Sequence, residues 1–116
     1  MMLRCLLALS VAILCHSAYA QSICHGTVAN GRVENAVALP RQGPNFTAYS
    51  SLAASLGRTY VHSEVRDILL EAYRGAAQAM PDRVYVYGET GWENGGRIRP
   101  HRTHQNGTSV DFFVPF

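Results

Sequence analysis

The sequence predicts an α+β fold in which one amphipathic helix packs on a small antiparallel sheet. Three observations point to it. Residues 63–80 repeat apolar side chains at helical spacing. Residues 83–87 form a β-branched and aromatic run, and residues 108–114 alternate after a glycine-rich loop.

Ahead of these elements, residues 1–20 read as a secretory signal peptide. Arg4 supplies a positive start, Cys5–Cys15 an apolar stretch, and Ala18-Tyr19-Ala20 a small-x-small cleavage site. The apolar stretch falls well short of the roughly 20 residues a spanning helix needs. Leu14, before Cys15, occupies a position where lipoprotein processing needs a small residue. Cleavage after Ala20 therefore leaves residues 21–116 free of the membrane, in the periplasm or outside the cell. The formal charge of +2 drops by one when Arg4 leaves. Cys24 is then the sole cysteine of the mature chain, without a partner for an intrachain disulfide.

From Gln21 to Tyr49 the chain is turn-rich, with Asn30-Gly31, Pro40, Gly43 and Pro44; only Val33–Leu39 has the pattern of a short strand. An extended segment lying on a larger body is expected there. The helix follows, with Ser63 as its N-cap and Glu64 in its first turn, where the helix dipole favours a carboxylate. Val65, Ile68, Leu69, Ala72, Tyr73 and Ala76 make its apolar face, and Pro81 stops it. Arg83–Tyr87 is the first strand, closed by Gly88, and Thr108–Val114 the second.

The chemistry gathers in Gly95–Phe116, where His101, His104 and Asp111 lie close together in sequence. Asn106-Gly107 is a strong two-residue hairpin signal. In that register His104, Ser109 and Asp111 share one face, with His104 and Asp111 near enough to hold one ion. His101 falls on the opposite face, with Thr103, Val110 and Phe112. Trp92 is either core or a wall against which a substrate stacks. Arg97, Arg99 and Arg102 form a basic cluster, either solvated or suited to an anionic ligand.

The segment Gly95–Asp111, with Pro100-His101, then Thr103-His104-Gln105, Gly107 and Asp111, resembles the first metal motif of the penicillin-insensitive murein endopeptidases. These belong with the D-Ala-D-Ala carboxypeptidase-like and lysostaphin-like zinc peptidases. The resemblance implies that His104 and Asp111 are Zn2+ ligands and that the substrate is the peptide cross-link of peptidoglycan. It places His101 at the rim, as the candidate catalytic residue. The chain departs from the family pattern at Thr108-Ser109, which stands where Leu-Asp is usual, and mildly at Thr103, where Ser is common. The family's second motif, a His-x-His with the third ligand, has no match among the five histidines. The resemblance thus implies that residues 21–116 are the N-terminal part of a zinc peptidase domain. Its sheet would be incomplete without the C-terminal half, and the chain would be inactive alone. Two rival readings are a non-catalytic secreted binding module and a nucleic-acid-binding protein. The second needs a cytoplasmic chain and a strongly basic face, against the export signal and the near-neutral charge.

Overall fold

A computed structural model describes residues 20–114. All but Ala20 of the expected signal peptide lies outside them. Among the described residues the chain runs β1 Ile23–Thr27, β2 Asn30–Glu34, β3 Val37–Ala38, β4 Gln42–Gly43, β5 Phe46–Ala48, α1 Ser51–Ser55, β6 Tyr60–Val61, α2 Ser63–Ala79, β7 Tyr85–Tyr87 and β8 Phe112–Phe113. The α+β class holds, with two helices where one was expected. The short α1 is capped by Ser50, whose Oγ accepts from the Ala53 amide at 3.0 Å.

The strands form three sheets: the β1–β2 hairpin, the pair β3–β6, and a four-stranded sheet in the order β4-β5-β7-β8. Within the last, β5 and β7 run parallel, so the sheet is not wholly antiparallel as expected. A parallel pair needs a long crossover, and the chain from α1 through α2 provides it.

The helix α2 begins as expected but is capped by His62, whose Nδ1 accepts from the Glu64 amide at 3.1 Å. Ser63 is engaged elsewhere: its Oγ accepts from Ser22 N at 3.1 Å, and its own amide donates to Ser22 Oγ at 2.9 Å. The inward stripe is also rotated from the expected one. Leu69 and Tyr73 are buried and Leu70 packs beside them, while Ile68 is 68% exposed. The large rings decide which side turns inward. Tyr73 stacks on Phe46 of β5 with centroids 4.6 Å apart and lies 5.8 Å from Tyr85 of β7.

Residues 21–49 are part of the body and not a strap laid over it. Leu39 and Phe46 belong to the core with Val61, Leu69, Tyr73 and Tyr87, and Val33 is buried as well. The expected strand Val33–Leu39 divides into β2 and β3 at Asn35, whose φ of 54° lies in the left-handed region. Among the described residues, no helix is long and apolar enough to cross a membrane.

Candidate metal centre

The hairpin expected about Asn106-Gly107 does not form. The strand expected over Thr108–Val114 shrinks to β8, which pairs with β7 through Val86–Phe113 and Tyr87–Phe112. Longer-range bonds claim the backbone that a hairpin ladder would use. Gln105 N donates to Val28 O at 3.0 Å, and Gln105 Oε1 accepts from Gly31 N at 3.3 Å. Gly107 O accepts from His62 N at 2.8 Å. The loop is therefore clamped between the β1–β2 hairpin and the start of α2. Gly107 has a φ of 84°, and a Cβ there would stand 2.9 Å from His62 N. Only glycine fits that approach. Beneath the loop, Ile98 is fully buried.

This path brings His104 to Asp111 by a different route from a regular hairpin. His104 has a φ of 70°, rare for a residue with a Cβ, and is 4% exposed. Its Nδ1 donates to the Thr90 carbonyl at 2.7 Å. A carbonyl can only accept, so the proton is fixed on Nδ1 and the Nε2 lone pair is free. That Nε2 lies 3.1 Å from Asp111 Oδ1. Asp111 is held in turn by main-chain bonds, Gly88 N to Asp111 O at 2.7 Å and Asp111 N to Glu89 O at 3.3 Å.

His101 does not face away, as the hairpin register required. Its ring centroid is 4.4 Å from that of His104, and its Nδ1 lies 3.9 Å from Asp111 Oδ2. Ligand atoms of His101, His104 and Asp111 all fall within 4.8 Å of one another. An imidazole and a carboxylate, His104 and Asp111, are donors that zinc accepts, and the His101 imidazole stands beside them. His104 already has the second hydrogen bond that orients a metal-binding imidazole. The residues present therefore fit the ion.

Sequence reasoning missed the groups behind His101. Its Nε2 donates to Glu89 Oε2 at 2.7 Å. Arg58 grips the same carboxylate with two nitrogens, Nε to Oε1 at 2.8 Å and a terminal nitrogen to Oε2. The Arg58 guanidinium also lies over the Trp92 ring, 5.0 Å from its centroid, and donates to Arg99 O. Trp92 thus supports the site from behind. Hydrogen bonds from Arg58 pull the Glu89 carboxyl below its ordinary range; partial burial opposes them, and the bond from His101 adds to them. A glutamate directly after the strand-ending Gly88 was the one signal available.

Two cavities open on either side of His101. One, of about 680 Å3, is lined by Asp111, Glu89, Tyr49 and Phe113, the last two stacked with ring centroids 4.4 Å apart. The other, of about 520 Å3, is lined by Arg97, Arg99 and Arg102 with Gln105.

No curated protein matches the chain. The family model of the penicillin-insensitive murein endopeptidase matches residues 24–116, which take in the whole His101–His104–Asp111 cluster and all the described elements except the first residue of β1. The chain belongs to the penicillin-insensitive murein endopeptidase family.

Proposed function

We propose that the chain is the N-terminal part of a zinc peptidase that hydrolyses peptide cross-links of peptidoglycan outside the cytoplasm, exported by residues 1–20. His104 Nε2 and Asp111 Oδ1 are its metal-binding atoms. The observation that carries this reading is their 3.1 Å separation, with the His104 tautomer fixed by Thr90.

When bound, zinc supplies Lewis acidity toward a peptide carbonyl and lowers the pKa of its water. The chain's own groups do the rest. Thr90 keeps the His104 lone pair aimed at the metal position. Glu89 holds the Nε2 proton of His101, so proton exchange with a substrate is left to Nδ1, on the side of Asp111. The resemblance assigns the third ligand to a His-x-His, and none of the five histidines here stands in such a pair. Catalytic zinc sites use three protein ligands. Residues 21–116 alone are therefore expected to hold zinc weakly and to leave cross-linked muropeptides uncut.

The test is a cobalt titration followed by visible absorption, with zinc competition. A weak site is expected in the chain and should vanish in both His104→Ala and Asp111→Ala. Undiminished binding in both variants would return a non-catalytic module to first place.

A further inference from the structure

We infer that the cavity formed by Arg97, Arg99 and Arg102 is a carboxylate subsite, which holds an acidic group of the peptide whose bond lies at His101 and Asp111. The identity of that peptide rests on the peptidase reading; the anion-binding chemistry does not.

The first ground is unspent charge. Arg32, Arg58 and Arg66 each pair with a carboxylate. Among the described residues, none of the guanidinium groups of Arg97, Arg99 and Arg102 has a hydrogen-bonding or ionic partner. These three exposed like charges line one cavity of about 520 Å3, so an anion that enters meets all of them.

The second ground is placement. The backbone that carries these arginines is tied down: Gly96 N donates to Gln105 O at 2.9 Å, His101 N to Ile98 O at 2.9 Å, and Arg58 to Arg99 O. His101 and Pro100 line this cavity and also the one that contains Asp111. A group held by the arginines therefore belongs to the molecule that reaches the metal position.

The third ground is selectivity by surroundings. Asp111 lines the neighbouring cavity, where the Glu89 charge is already met by Arg58, so a ligand negatively charged along its whole length gains nothing there and meets Asp111. A peptide that presents a carboxylate at one end and neutral amides at the other matches both halves. Guanidinium groups bind carboxylates as two-pronged donors, which fits such an end.

The experiment uses the metal-free chain in chelator, with amide NMR shifts of residues 97–105 as the readout. N-acetyl-D-alanyl-D-alanine, its C-terminal amide, inorganic phosphate and a single-stranded oligonucleotide are titrated in turn. The free acid should bind about tenfold more tightly than the amide, as a charge-assisted pair requires. The combined variant Arg97→Gln, Arg99→Gln, Arg102→Gln should lose that preference while its core shifts at Val61 and Tyr87 stay in place. Equal or absent binding of acid and amide overturns the subsite. So does a preference that survives in the variant, or tighter binding of phosphate or of the oligonucleotide. Because no metal is present, undiminished cobalt binding in His104→Ala and Asp111→Ala would end the peptidase reading and leave this result standing.

Discussion

Glu89 Oε2 accepts the Nε2 proton of His101 at 2.7 Å, and Arg58 grips the same carboxylate from the other side. The side chains of Arg58 and Glu89 are only 14% and 27% exposed. Exposed ion pairs contribute roughly 0–1 kcal/mol, and this one is neither exposed nor singly bonded. The consequence for the site is orientation. With Nε2 committed to Glu89, His101 has no choice of which nitrogen faces Asp111.

Glu89→Ala should release the His101 ring. In the metal-free chain, the ring 15N shifts of His101 should move from a fixed Nε2–H tautomer to a mixture, and Glu89→Gln should restore part of the original pattern. Under the proposed peptidase function, Glu89→Ala should cost about 10–100-fold in turnover with zinc retained. Unchanged His101 shifts in Glu89→Ala would show that the ring is fixed by something else.

The sequence carried the helix and the strand before Gly88, because each follows from local spacing; it also put His104 beside Asp111, but through a hairpin that does not form. It misled about His101, since alternation along a hairpin was assumed where Gln105 and Gly107 spend their backbone bonds on Val28 and His62. Those partners lie far away in sequence, and no local pattern announces them. The role of residues 23–34 was hidden for the same reason. Turn residues suggested a loose strap, while β1 and β2 are the clamp that shapes the site loop. Arg58 and Trp92 gave no sign of converging on Glu89.

Gly107→Ala should be costly for its position. A Cβ would meet His62 N at 2.9 Å and Val33 Cγ2 at 3.2 Å, on a backbone with a φ of 84°. The left-handed conformation alone costs a side-chain-bearing residue about 1–2 kcal/mol. Denaturant unfolding should show a loss of about 2 kcal/mol or more, and the His104 amide should exchange faster with solvent. A variant as stable as the parent would mean that the loop approach is looser than described.

Tyr87 gives the chain an alkaline limit. It is fully buried, and its hydroxyl donates to Pro40 O at 2.7 Å. Burial, and then the nearby Tyr73, push its pKa from 10.0 to about 12. A folded-state pKa above the unfolded one contributes stability in full below pH 10.0. That contribution is lost as pH rises toward about 12, because the unfolded chain ionises first. Tyr87→Phe should cost about 1 kcal/mol at neutral pH through the lost bond. Its stability should then fall less steeply than the parent's between pH 10 and 12. Parallel curves for the two proteins across that interval would refute the assignment.

His101→Ala separates the proposed role of His101 from that of the proposed ligands, and it is measured in a form of the protein that contains a His-x-His. His104 and Asp111 are 3.1 Å apart and are the two proposed ligands, so removing either should abolish zinc content and cleavage together. His101 stands 3.9 Å from Asp111 and is held from behind by Glu89, an arrangement suited to exchanging a proton beside the metal. His101→Ala should therefore keep most of the zinc and lose turnover, by about 100-fold if it acts as a general acid or base. The limb of the pH–rate profile that reports this histidine should disappear with it. Elemental analysis alongside muropeptide cleavage decides the matter. Zinc loss in His101→Ala as complete as in His104→Ala would make His101 a third ligand and move the proton-handling role to another residue.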